Sequence, residues 1–312
     1  MNKRFAIACS GGVALLAAAG AAQSSCGSAF CVLNTNWSTQ GVASEPGAFR
    51  LDERFEFVDQ KHLQSGTKRV STDDVAAEET TELRTINRNL LTTLDYAFSR
   101  NWTASVSAPA VSRSHSHIVN ATGETEKWDF TKIGDTRVLG MYRFVNQGLI
   151  FGLKLPTGGY RVSNADGVVA ERALQPGTGS TDLVVGGYYS VPGIHQDSSW
   201  FVQGLYQQAV STKEEYKPGN QFQLNVGYRC PLGHDLQALL QVNSLIKGKD
   251  SGANAEPDLS GSKSVFLSPG LIYSLTHDLQ LYSFVQVPIY RFYNGAQLSV
   301  DWAFVAGATM RF

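Results

Sequence analysis

Long apolar runs are missing from this chain. Beyond residue 22 no window of about 18 consecutive apolar residues occurs and the mean hydropathy is −0.15, which excludes membrane-spanning helices. An excess of positive charge is also missing: setting aside Lys3 and Arg4 leaves 24 basic against 27 acidic residues, a net charge of −3. Nothing in that balance points to nucleic acid. Cysteine is scarce, at four residues, and Cys9 falls within the N-terminal leader described below. Cys26 and Cys31 are close enough to form a small disulfide loop worth roughly 2 kcal/mol in an exported chain. The rival reading of this pair is a metal site, but no companion His or Cys lies nearby. Cys230 is left over and is read as structural. No Leu stands three positions before Cys26, so the signal for a lipid anchor is absent. Charge of either sign is low, at 17%, while glycine is frequent, with 30 residues, and aromatics reach 11%, a composition suited to a β protein with many tight turns.

The N-terminus carries Asn2, Lys3 and Arg4, an apolar stretch from Phe5 to Leu16 and then small residues to Ala22. That order predicts a secretory signal peptide over residues 1–22, cleaved after Ala22. At the other end, Leu298, Val300, Trp302, Phe304, Ala306, Ala308, Met310 and Phe312 occupy every second position, separated mostly by polar or small residues. One face of such a strand suits hydrocarbon and the other suits water. A terminal Phe312 resembles the signal by which bacterial barrel-assembly machinery recognises its clients.

Between the ends, period two recurs in about twelve segments joined alternately by short and long connections. The short ones are Ser99 to Asn101, Val145 to Gly148, Pro192 to Ser199, Arg229 to His234 and Thr276 to Asp278. The longer ones are Gln60 to Thr81, Ser112 to Ile133, Pro156 to Ser180, Ser211 to Gly219, Lys247 to Lys263 and Arg291 to Ala296. Rows such as Phe49, Leu51, Phe55 and Phe57 suit lipid. Tyr96, Phe98, Trp102, Phe144, Trp200 and Tyr228 gather at the short-turn ends like an interfacial girdle. The expected fold is therefore all-β: a transmembrane antiparallel up-and-down β-barrel of about twelve strands over residues 47–312. A short periplasmic extension precedes it over residues 23–46, and both termini lie in the periplasm.

The opposite face is the expected lumen. Arg50, Asp52, Arg54, Glu56, Asp95, Asp135, Arg137, Arg143, Lys154, Asp182 and Asp301 make one charged wall, whereas Gln241, Tyr282, Phe284 and neighbouring amides make the other. A barrel of about twelve strands lies between those filled by side chains and the aqueous porins. The charges serve either as ladders that fill and stiffen the interior or as the wet wall of a narrow channel whose second wall contacts a small organic solute.

Four stretches carry a family resemblance: Ser28 to Asn36, Leu153 to Gly158, Ser163 to Gly167 and Leu174 to Asp182. They resemble the bacterial outer-membrane proteins grouped as transporters of the MetA pathway of phenol degradation. The resemblance implies an outer-membrane channel loosely akin to those taking up fatty acids and aromatic hydrocarbons. It transfers no binding residues and does not make phenol the substrate.

The function expected is passive passage of small hydrophobic or aromatic solutes through a monomeric barrel, with no cofactor, no metal and no catalysis. Lipid and lipopolysaccharide are the expected surroundings, with Arg84 and Arg88 placed to meet phosphates. Two other classes compete. An outer-membrane lipase or protease would draw on Ser114, His115, Ser116 and His117 at the extracellular rim, with Asp73 or Asp74 as acidic partners, although no His-x-Ser pair occurs. A structural or adhesive barrel would use its long loops. His115 and His117 with Glu124 and Glu126, and Asn164, Asp166 and Asp182, have the chemistry of metal ligands but not a recognised spacing. Pro156 to Gly159 and Pro176 to Gly179 set turn geometry, or alternatively hinge a loop that folds inward as a gate.

Overall fold

Alternation fixes each stave. Along Phe49–Gly66, Asp52, Arg54, Glu56 and Val58 are buried while Phe55 is exposed; along Thr80–Ala97, Leu91, Thr93 and Asp95 are buried while Leu90 and Leu94 are exposed. The computed structural model describes residues 45–75, 78–195 and 197–312. The expected signal peptide, nearly all of the expected periplasmic extension, and Cys26 and Cys31 lie outside the described residues.

The described residues form thirteen strands: β1 Phe49–Gly66, β2 Lys68–Arg69, β3 Thr80–Ala97, β4 Trp102–Val119, β5 Glu124–Ile133, β6 Thr136–Arg143, β7 Gln147–Leu155, β8 Thr181–Pro192, β9 Ser199–Ser211, β10 Gln221–Pro231, β11 Leu236–Lys247, β12 Ser262–Ser274 and β13 Leu279–Arg311. Neighbours pair antiparallel, and β13 also pairs with β1, so the sheet closes into a barrel of eleven strands with β2 and β5 outside the ring. Closure leaves the ring without an edge strand. The 33 residues of β13 fold back on themselves. Gln280–Tyr293 pair with β12, Gln297–Arg311 pair with β1, and Gly295 between them takes a left-handed φ of +65°. Counted as two limbs, β13 brings the chain crossings to twelve, in agreement with the periodicity.

The first and last strands meet at the short-turn end, where Phe49 N–H donates to Phe312 O at 2.8 Å and Phe312 N–H to Phe49 O at 3.0 Å. The expected girdle forms at this end. Ring centroids lie 4.7 Å apart for Phe49 and Tyr96, 4.7 Å for Trp102 and Tyr142, and 4.6 Å for Trp200 and Tyr228. Above it Leu149, Phe151, Leu153, Leu224, Val226, Leu240 and Val242 are exposed on the outside, as a lipid-facing band requires.

Three expectations need correction. The segment Ser112 to Ile133 is not a loop: β4 continues to Val119 and β5 returns along it as a hairpin, because the alternation of Val111, Arg113, His115 and His117 against Ser112, Ser114 and Ser116 persists. The first long connection is likewise shorter than expected, since β1 runs to Gly66 and β3 starts at Thr80. Cys230 lies in β10 rather than in a turn, half-buried with Sγ 3.6 Å from Pro231 O.

Candidate functional site

The barrel interior holds the candidate site, and its charges are paired. On β1, Arg54 Nη2 meets Glu56 Oε1 at 2.6 Å, and Asp52 accepts from Tyr282 Oη at 3.1 Å and from Thr309 Oγ1 at 2.6 Å. Arg50 reaches Asp95 on β3, with Nε to Oδ2 at 2.9 Å. Lys154 on β7 lies between two carboxylates, 3.1 Å from Asp135 and 3.0 Å from Asp182, and also donates to Ser180 Oγ at 3.0 Å. Arg137 donates to Gln207 Oε1 at 3.0 Å, whose amide donates on to Asp182 at 2.6 Å. Charges removed from water require such partners, since an unmatched one costs several kcal/mol.

The interior surface of β9–β13 has a different character. Asn225 donates to Gln203 Oε1 at 3.3 Å, Asn243 to Asn225 Oδ1 at 2.9 Å and to Gln241 Oε1 at 3.2 Å, and Ser268 to Asn243 Oδ1 at 2.6 Å, which makes an amide ladder across four strands. Beside it lies an apolar cluster that includes Phe201, Leu239, Phe266, Tyr282, Phe284 and Val305. Charges are thus concentrated on β1, β3 and β6–β8 and the amide ladder on β9–β12, with the Gln207 amide joining the two between Arg137 and Asp182.

Two of the expected residues stand apart. Arg143 is half-buried at the short-turn end of β6. Asp301 sits on an irregularity, because the β1–β13 register slips between Asp59 and His62, where Asp59 faces Trp302 and Gln60 faces Val300. That slip leaves Asp301 with His62 at 2.7 Å, Arg69 at 3.5 Å and Arg291 at 4.0 Å, away from the Lys154 cluster.

The connection between β7 and β8 turns inward. Its short helical turn Arg172–Leu174 buries Ala173 and Leu174, and Leu174 packs with Val111, Trp128 and Phe130 on β4 and β5. Arg113, fully buried, donates through Nη1 to Leu174 O at 2.5 Å and through Nε to Asn87 Oδ1 at 2.7 Å. Asp135 holds both ends of the segment, accepting from Gly158 N at 3.1 Å and from Thr178 N at 2.9 Å. At these ends a Cβ on Gly158 or Gly177 would collide with the opposing backbone, so the two Pro-Gly hinges require glycine for close approach. The hinges thus set the local geometry, as expected, and the segment between them packs inward. The outer loops brace one another: the Arg172 guanidinium lies 4.7 Å from the Tyr160 ring and 4.9 Å from the Tyr216 ring, and Tyr216 Oη donates to Asp250 at 2.8 Å.

The Ser/His group does not form the rim site that the hydrolase alternative requires. Alternation puts Ser114 and Ser116 on one face of β4 and His115 and His117 on the other, where both imidazoles are buried against Trp128. His117 Nε2 lies 3.0 Å from Glu126, His115 Nδ1 lies 2.8 Å from Thr85 Oγ1, and Ser114 donates to Asp129 at 3.0 Å. No serine stands within reach of either imidazole in these contacts, so the geometry of a Ser-His nucleophile is not assembled. Asn164 Oδ1 accepts from Asp166 N at 3.1 Å and Val168 N at 2.9 Å, and Asp182 serves Lys154. Among the described residues no group of three or more His, Cys, Asp or Glu converges as a metal site.

Arg113, Gln207, Thr178 and Ser180 were missed as interior residues. The signal for Arg113 was present in the odd-numbered row continuing past Ser112. The others interact through a loop whose path no periodicity encodes.

Comparison with known proteins agrees with this architecture. The outer membrane channel COG4313 from Pseudomonas putida F1 superposes with a TM-score of 0.67 at 14% identity, covering 88% of this chain and 98% of that one. The β domain of the Bordetella autotransporter BrkA superposes with a TM-score of 0.51 at 11% identity, covering 85% of this chain and 100% of that one. At these identities the likeness is one of fold. No curated protein sequence matches the chain. The family described as "Putative MetA-pathway of phenol degradation" matches residues 92–292, from the middle of β3 to the rising limb of β13. With that match over more than half its length, the chain belongs to this family of outer-membrane β-barrels.

Proposed function

We propose that the protein is a passive outer-membrane channel for small hydrophobic or aromatic solutes, acting as a monomer in a Gram-negative outer membrane with its short turns in the periplasm. The observation that carries this reading is the divided interior, with paired charges around Lys154 on one side and the Tyr282, Phe284 and amide sector on the other. A charged wall keeps a narrow bore wet, and an apolar and amide wall gives weak contacts that a passing solute can leave. The family and the resemblance in fold to a named outer membrane channel support it. The absence of an assembled Ser-His pair argues against the hydrolase alternative. Phe312, hydrogen-bonded into the closing seam, is the element we assign to recognition by barrel-assembly machinery.

The test is solute flux into liposomes containing the refolded protein, with an ion, a sugar and a panel of small aromatics beside empty liposomes. Selective aromatic flux is expected. General flux would make the protein a narrow porin, and no flux for any solute would overturn the channel reading in favour of a filled, structural barrel. In the same liposomes Arg54→Ala and Arg143→Ala are expected to change conductance or ion selectivity. Unchanged values in both would remove the charged wall from the pathway.

A further inference from the structure

On the outside of the barrel one carboxyl interrupts the apolar band. Glu53 alternates with buried Asp52 and Arg54 and so faces outward, opposite Thr92 on β3 and Ala308 on β13. Thr92 stands four residues from Tyr96 of the girdle, roughly 10 Å along the membrane normal for tilted strands, which puts Glu53 near the middle of an apolar band about 25 Å tall. Ionisable groups at that depth are costly, and their presence calls for a partner. Thr92 Oγ1 donates to Oε2 at 3.0 Å, and among the described residues this is the only hydrogen bond to the Glu53 carboxyl.

The carboxyl opens on a groove of about 620 Å³. Small residues make the floor, since Ala306, Gly307 and Ala308 follow one another on β13; Phe55 and Leu90 form one bank and Leu271 and Leu281 the other. The Ser283 hydroxyl adds a second polar group along the floor. A hydrocarbon chain of a lipid fills such a groove but leaves the Glu53 acceptor unanswered. A molecule with an apolar body of one ring and one hydrogen-bond donor satisfies both parts.

We infer that this groove is a membrane-facing binding site for small apolar molecules bearing a single hydroxyl or amine donor, with Glu53 as the acceptor and the Ala306–Ala308 floor as the seat of the ring. The site lies outside the bore, so it is independent of the channel reading.

The probes are para-propylbenzyl alcohol and its methyl ether, titrated calorimetrically into the full chain in phosphatidylcholine nanodiscs against empty nanodiscs. The alcohol should bind saturably at one site and the ether about ten-fold more weakly, the effect of one hydrogen bond to a carboxyl. Glu53→Leu should reduce the alcohol to the affinity of the ether and leave the ether unchanged. Ala306→Phe should abolish binding of both. A lipid-facing leucine suits the band, so the first variant keeps the fold, checked by the heat-modifiable mobility of the folded barrel. Equal affinity of the two probes, or alcohol binding unchanged in either variant, would overturn the inference. Ion flux measured with the same proteins in phosphatidylcholine liposomes separates the two readings: lost groove binding with intact flux removes only this site, and intact binding without flux removes only the channel.

Discussion

Lys154 shows what a single residue carries in this interior. Its ammonium lies 3.1 Å from Asp135 and 3.0 Å from Asp182 and is almost wholly shielded from water. Lys154→Met therefore strands two buried carboxylates, and a loss of about 3–5 kcal/mol is expected in urea unfolding of the detergent-folded barrel. Lys154→Met combined with Asp182→Asn should recover part of that loss; a single variant as stable as wild type would show that these charges are hydrated. The outer loops permit a prediction of pH dependence. Burial pushes the Tyr216 phenol above the ordinary value of 10.0. A group whose value is raised on folding contributes stability that is fully present below its unfolded value and is lost as pH rises through the folded one. Phenolate absorbance should accordingly develop identically in wild type and Tyr216→Phe as the pH is raised through that ordinary value of 10.0. An extra step in wild type over that range would mean that Tyr216 is hydrated.

At the scale of elements, the inward segment 156–180 packs against β4 and β5 at the long-loop end. Arg113 and Asp135 tie it to the wall. Replacing residues 160–174 by two glycines should raise single-channel conductance several-fold if the segment obstructs the bore, whereas equal conductance would assign it a bracing role alone. This is also where sequence reading was weakest. Twelve crossings, the short turns and the outward rows were legible because lipid and interior impose period two on every stave. Strand ends were less so. β4 and β5 keep alternating beyond the point where the lipid-facing row stops, and their outward residues there, Ser112, Ser114 and Ser116, are polar like those of a loop. Asp301 was assigned by parity, and the irregularity at Asp59 to His62 breaks parity without a sequence mark. Arg113 was lost through the same early truncation of β4. The partners of Lys154 at Thr178 and Ser180 depend on a loop path that only tertiary packing sets.

For the whole molecule, closure is the decisive event, since β1 and β13 join the ends while every other ring pairing joins strands close in the chain, β1–β3 and β4–β6 passing over only β2 and β5. Phe312 contributes two backbone hydrogen bonds to this seam and stacks its ring 5.8 Å from Phe49. Deleting Phe312 should slow refolding and lower stability by about 1–2 kcal/mol, read from the rate at which the heat-modifiable band appears. Refolding at the wild-type rate would place the seam's nucleus elsewhere.

Tyr282 ties the seam together from inside. Its hydroxyl reaches Asp52 on β1, while its ring fills the space left by the missing side chain of Gly307 on the second limb of β13. Any side chain at position 307 would meet that ring and push the hydroxyl off Asp52, so a residue with no charge and no side chain keeps a buried carboxylate supplied with its donor.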